Sequence, residues 1–133
     1  MRVALLGPVA WRTPPHHYGP WEQVTGLLAE GLVTRGLDAT LFATLDSVTS
    51  TALDGVGPRG YADDPSMSGR VWEAMHVSHT MGRSPHLDLV HNHLDWLPLA
   101  SCRPSSRPLT PRAGPGRLPG PGPTVGVLVG VQR

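Results

Sequence analysis

The first 46 residues predict an α/β fold built on a parallel sheet, and three observations carry the expectation. Arg2-Val3-Ala4-Leu5-Leu6 runs apolar without alternation, the pattern of a central parallel strand covered on both faces. Residues 20–33 then repeat apolar side chains at helical intervals. Arg35-Gly36 stops that helix, and the run to Ala43 begins a second strand. Strand, loop, helix, glycine stop and strand make one βαβ unit. Such a unit sets a loop and a helix N-terminus over the carboxyl end of the first strand, where phosphate-bearing ligands bind in open α/β sheets.

Each element has its local reason. Pro20 suits the first helical position, where a missing N–H costs nothing. Gly19 is then the N-cap, and Glu22 is the third helical residue, where a carboxylate is favoured. Trp21, Val24, Leu27, Leu28, Leu32 and Val33 are spaced three and four apart and predict the buried face. Gly36 is the C-terminal stop, with Arg35 favourable in the last turn. Residues 44–64 read as loop, with Asp54-Gly55, Gly57-Pro58 and Asp63-Asp64-Pro65 as turn signals. A second helix is expected from Ser66 to Met81, its face formed by Val71, Met75 and Ser78 or His79 beside Trp72, and ended by Gly82 and Pro85. Leu87-Asp88-Leu89-Val90-His91 predicts another short buried strand. Asn92 to Ala100 leaves it as a turn or helix.

At Ser101 the character changes. Residues 101–133 contain seven Pro and six Gly, and the periodicity is lost. The prolines oppose both helix and central strand; only Thr124 to Val131 reads as strand-forming. The expected division is therefore a partial α/β domain over 1–100 and an irregular, disordered or frameshifted tail over 101–133. A chain of 133 residues holds about one domain.

Charge follows the same boundary. The net +1 combines −4 over residues 1–100 with +5 over the tail, where every charge is an Arg. Those arginines stand among Pro and Gly with no aromatics to stack on bases, so no nucleic-acid partner is expected. Cys102 is the single cysteine. No internal disulfide can form, and a reducing, cytoplasmic setting is expected. No apolar stretch approaches the roughly 18 residues of a membrane span.

Three places can carry chemistry. At Gly19-Pro20 the unsatisfied amides and positive end of the helix dipole suit a phosphate, although a plain turn explains the glycine equally well. In the loop from Trp11 to Tyr18, Arg12 suits a phosphate or sugar hydroxyl and the aromatics suit stacking on a sugar; a solvated surface loop is the alternative. His91 and His93 alternate onto one face of a strand. They read as a sugar-binding edge or as imidazoles satisfied in the core. Zinc needs three or four ligands, and His76, His79 and His86 lack ligand spacing, so no metal is expected. There is no GxGxxG, Walker or G-x-S-x-G sequence, and no residue receives a catalytic assignment. Asp63-Asp64 reads as a solvated acidic turn.

Val3-Ala4-Leu5-Leu6-Gly7-Pro8, the segment Pro14 to Glu22, Leu27 to Gly36, Thr40-Leu41-Phe42-Ala43 and Asp88 to His93 together resemble the N-terminal domain of family-four retaining glycosyltransferases over residues 2–100. The resemblance implies a Rossmann-like fold, one of the two domains of the GT-B architecture, which transfers a hexosyl group from a nucleotide sugar to a sugar or lipid acceptor. It implies the Gly19 backbone near the donor diphosphate, and Arg12, His93 and Asp95 lining the acceptor side. It implies no metal and no cofactor beyond the donor substrate. The sequence departs from the family where Pro20 replaces a second glycine and Leu37 stands where His is common. It also lacks the donor domain with its paired glutamates, so the expectation is a truncated acceptor-side half, inactive alone. A non-catalytic α/β module binding a phosphorylated or sugar ligand is the alternative reading.

Overall fold

A computed structural model describes residues 1–95, 97–101 and 126–129. The elements run β1 (Arg2–Leu6), α1 (Pro20–Thr34), β2 (Asp38–Phe42), β3 (Ala52–Asp54), α2 (Gly69–Arg83), β4 (Leu89–Asn92), the short α3 (Leu97–Ser101) and β5 (Gly126–Val129), with 3-10 turns at Tyr61–Asp63 and Ser84–His86. All strands are parallel, in the order β3-β2-β1-β4-β5. That order reverses direction at β1, as in doubly wound sheets, and opens a crevice at the carboxyl ends of β1 and β4. β5 lies inside the one tail segment expected to form a strand; the other residues of the tail, apart from Ser101 at the end of α3, lie outside the described residues.

β1 is buried on both faces, as its apolar run predicts. Val3 and Leu5 join Leu41, Ala43 and Ala29 under α1. Ala4 and Leu6 join Phe42, Val77, Leu87 and Val90 under α2. Side chains of a strand alternate between faces, so a five-residue strand feeds two cores.

The helix ends match expectation closely. α1 begins at Pro20 behind Gly19 and closes at Gly36, whose φ of +73° is the left-handed geometry of a helix stop. Arg35 hydrogen-bonds the carbonyl of Gly31 in the last turn. α2 begins three residues later than expected and runs through Gly82 to Arg83, ahead of Pro85. The 44–64 segment is mostly loop but contains the edge strand β3 and a 3-10 turn.

The helix faces differ from the sequence reading. Trp21 and Leu27 are 60% and 64% exposed, while Glu22, Thr25, Gly26 and Ala29 are buried. The reason is space. The loop after β1 tucks between α1 and the sheet, with the Thr13 methyl against Gly26. Thr25 lies beside Gly7 and bonds the Trp21 carbonyl. Only small residues fit that contact, so Trp21, Val24 and Leu27 turn outward, while Leu28 and Leu32 of the expected face pack against the core. In α2, likewise, Val71 and Met75 are exposed and Ser78 faces solvent, while His76, Val77 and Thr80 are buried.

His76 is the polar residue of that interface. Its Nε2–H donates to the Gly7 carbonyl at 3.1 Å, its Nδ1 has no hydrogen-bond partner among the described residues, and burial pushes its pKa down to about 4. An imidazole depressed in the native state takes its proton first in the unfolded chain. Stability is then full above the ordinary value of 6.5 and is lost as pH falls toward 4. Urea denaturation should show wild type losing up to about 3 kcal/mol more than His76→Gln across that window. Equal pH profiles for the two proteins would show that the ring titrates alike in the folded and unfolded chain, without the depression that burial brings.

Close backbone approach makes its own demand at Gly60. A Cβ there would lie 2.3 Å from the Ala10 carbonyl oxygen, inside any real contact. Gly60→Ala should separate the 60–62 segment from residues 9–10 and cost about 2 kcal/mol or more by chemical denaturation.

Candidate functional site

The carboxyl edge of the sheet is assembled from four pieces of chain. Gly7 leaves β1 with its N–H on the Phe42 carbonyl at 2.8 Å and its own carbonyl on His76. The loop from Pro8 to Gly19 then crosses the edge. It is held by Thr13, whose N–H donates to Ser47 Oγ at 2.8 Å and whose carbonyl accepts from the Val48 N–H at 2.8 Å. The Thr13–Pro14 bond is cis. Tyr61 and Ala62 donate their N–H groups to the carbonyls of Val9 and Ala10, so the 60–62 turn forms one wall. His93, just past β4, donates its N–H to the Leu6 carbonyl at 2.9 Å, which seats the segment His93–Asp95 beside the end of β1.

Each residue singled out from the sequence has a definite place here. Gly19 is buried at the N-cap of α1, and its carbonyl accepts the Gln23 N–H at 2.9 Å. A Cβ on Gly19 would lie 2.8 Å from Pro15, so the loop closes directly over it. Arg12 is half-buried. Its Nη1 donates to His16 Nε2 at 2.8 Å, and its Nε is buried without a partner. His93 is half-buried with its ring centroid 4.5 Å from that of His91, so the expected same-face pair is a real contact. Burial, then the neighbouring His91, holds His93 down to about 4, and its Nε2 has no partner. Asp95 is exposed. Its Oδ1 accepts from the Leu97 N–H, and its carbonyl accepts from Asn92 Nδ2 at 3.1 Å. Trp11 is half-buried, whereas Tyr18 is 86% exposed and Trp21 stands out from α1.

Asp63-Asp64 lies away from this chemistry as an acidic turn. Asp64 takes Arg59 at 2.5 Å and both the N–H and Oγ of Ser66.

Two residues join the edge without having been singled out for it. Tyr61 donates its hydroxyl to Glu73 Oε1 at 2.8 Å across α2, and its ring packs on the start of that helix at Gly69. Burial, the Glu73 bond and the charges of Glu73, Glu22 and Asp95 push its pKa up to about 12, so Tyr61 is a neutral donor at any physiological pH. Glu22, expected only to favour the helix start, is 4% exposed. Its Oε2 turns back to within 3.1 Å of where a Gly19 Cβ would stand. Burial raises its pKa, against the pull of the Glu22 and Trp11 amides. A tyrosine in a long loop carries no periodic signal, and a glutamate at the third helical position is so ordinary that its burial is invisible in sequence.

The edge thus carries the half-buried imidazoles of His91 and His93, an Arg12–His16 pair on the loop, and the buried carboxyl of Glu22 at the start of α1. No helix among the described residues is long and apolar enough to cross a membrane. A scan against models of protein families finds none that matches the chain, and a search of curated proteins finds no match either.

The site generates one direct spectroscopic expectation. In an NMR titration the His93 ring should stay neutral down to about pH 4. A midpoint near 6.5 would place that ring in solvent and dissolve the contact with His91.

Proposed function

We propose that the described domain is the acceptor-side, Rossmann-like half of a retaining GT-B glycosyltransferase. It acts on a nucleotide sugar and a sugar or lipid acceptor. The observation that carries the reading is the crossover from β1 to α1: it lays Gly19, bare of a side chain, and the opening of a 15-residue helix on the carboxyl edge of a parallel sheet. The dipole and the first amides of such a helix favour an anion. The strand order supports it, because the reversal at β1 leaves a crevice beside that helix end.

In this reading the donor diphosphate approaches the Gly19 backbone. Arg12 and His93 offer donor and acceptor nitrogens to sugar hydroxyls. Arg12 is preset by His16, and the unpartnered Arg12 Nε and His93 Nε2 are polar atoms that an acceptor hydroxyl would satisfy. Asp95 supplies an exposed carboxylate at the rim. Departure of the nucleoside diphosphate is helped by the helix end and by basic groups, an electrostatic form of catalysis that needs no proton transfer from this domain. The nucleotide and sugar are gripped by a separate donor domain.

The test is transfer of label from UDP- and GDP-sugars to candidate acceptors. The 133-residue chain alone should give none, while amide NMR should show Gly19, Trp21, Arg12 and His93 shifting with millimolar nucleotide sugar. Arg12→Ala should weaken that response about tenfold, the scale of one lost charge-assisted hydrogen bond. Turnover by the chain alone would overturn the half-enzyme reading. Shifts elsewhere in the fold would overturn the site.

A further inference from the structure

The bulky residues that packing leaves outside on α1 fall on one seam. Trp21, Val24, Leu28 and Gly31 follow one another at steps of three, four and three, and Arg35 stands four further on. Those are the a and d positions by which one helix packs along another. Trp21, Val24, Leu27 beside the seam and Tyr18 just ahead of the helix are exposed, and Leu28 is half-buried with its inner side on the core. The open area of these side chains is about 500 Å², the size at which an exposed apolar patch marks an interaction surface. The opposite flank of α1 is already engaged, because Glu30 accepts from the Thr49 hydroxyl and the Ser50 N–H. α2 and the start of α3 pack on the other face of the sheet, with Ala4 and Leu6, so no described helix neighbours α1 on its own face.

The seam is complementary to its own reverse. Its largest member, Trp21, stands near the start, and Gly31, without a side chain, stands near the end. In an antiparallel pair about a two-fold axis, Trp21 of one copy lies on Gly31 of the second and Val24 lies on Leu28, and each contact occurs twice. A parallel pair would stack Trp21 on Trp21 and leave two glycines facing a gap. Charge fits the same arrangement. Arg35 folds back over Gly31, with Nη1 donating to the Gly31 carbonyl at 3.1 Å, and it is exposed without a carboxylate partner among the described residues. The indole of the second copy would therefore meet a guanidinium, a cation–π contact. Reversal also sets the positive N-terminal end of each helix beside the negative C-terminal end of the other. We propose that α1 is a self-association surface, on which two copies of this chain pair through antiparallel α1 helices with Trp21 of each on Gly31 and Arg35 of the other. The pairing is independent of the glycosyl-transfer reading. Two such patches bury about 1,000 Å², the lower bound for a specific interface, so the dimer is reversible with a Kd of about 10 μM.

Sedimentation equilibrium of the full chain, from about 1 μM to about 1 mM, should show a monomer passing to a dimer. Trp21→Ala should weaken the dimer at least tenfold, the scale of a lost anchor at an interface. Gly31→Gln fills the place that the indole takes and should do the same. A Cβ at Gly31 meets only Arg35 Nη1, at 3.5 Å, so that variant keeps the monomer fold and decides even if Trp21→Ala is less stable. Register is read by disulfide trapping on a Cys102→Ser background. Trp21→Cys mixed with Gly31→Cys should cross-link. Trp21→Cys alone should not, because ten helical residues hold its two copies about 15 Å apart, beyond the reach of a disulfide. A chain that stays monomeric to about 1 mM overturns the pairing and leaves the stripe to a different protein or to a membrane surface. A dimer indifferent to both Trp21→Ala and Gly31→Gln overturns it in favour of another surface. Cross-linking of Trp21→Cys to itself overturns the antiparallel register.

Discussion

β1 has no solvent face, and the rest of the domain is arranged around that constraint. Its four apolar residues, Val3 to Leu6, must be matched on both sides, so two helices and two neighbouring strands are required before they are dry. The chain then has to leave the sheet through a narrow exit at Gly7. There the Phe42 carbonyl accepts the Gly7 N–H, a Cβ would lie 3.1 Å from that carbonyl oxygen, and Thr25 of α1 closes the other side. The Gly7 carbonyl is buried as well, and His76 of α2 is the donor that satisfies it. One residue therefore ties the end of β1 to β2, α1 and α2 together. An unpaired backbone group at this depth would cost about as much as a lost hydrogen bond, which is why a polar histidine is retained in an apolar layer.

The carboxyl edge follows from that exit. A loop that emerges against α1 has to run along the helix before turning into it. It can do so only where α1 is narrow, at Thr25, Gly26 and Ala29. The same packing brings Pro15 onto Gly19, leaves Arg12 half-buried with His16, and lets the 60–62 turn pair with residues 9–10. Tyr61, Glu22 and Asp95 consequently feel one another although they come from three distant parts of the chain.

The β3 margin of the sheet is held differently. The edge strand β3 is clipped to α2 by Asp54, which takes the His79 Nε2–H at 2.9 Å and the Arg83 guanidinium at 3.5 Å. Burial acts to raise the Asp54 pKa. The hydrogen bond and charge of His79, the Gly55 amide and Arg83 outweigh it and hold the carboxyl below its ordinary value. Glu30 fastens α1 to the 49–50 loop through Thr49, the Ser50 amide and the Ser50 hydroxyl. These contacts are partly or wholly exposed, so solvent screens them and they steer loop position more than they stabilise the fold.

By itself the sequence determined the elements written in local backbone chemistry. The two-faced strand showed in an unbroken apolar run, the start of α1 in Gly19-Pro20, its end in Gly36, and the strand-forming stretch of the tail in the apolar run past the last proline, Pro123. The same-face pair His91 and His93 followed from strand alternation alone. Only the tertiary structure decided which face of each helix is buried, because that depends on the volume left by a loop folding in from elsewhere. Periodicity identified a bulky stripe on α1; Leu28 and Leu32 of it pack on the core, while Trp21, Val24 and Leu27 are turned outward in favour of Thr25, Gly26 and Ala29. Nor could sequence show that Glu22 is buried or that Tyr61 joins the edge. The burial of Glu22 depends on the loop that folds over the start of α1, and Tyr61 reaches the Val9 carbonyl across 52 positions, a separation no local pattern encodes.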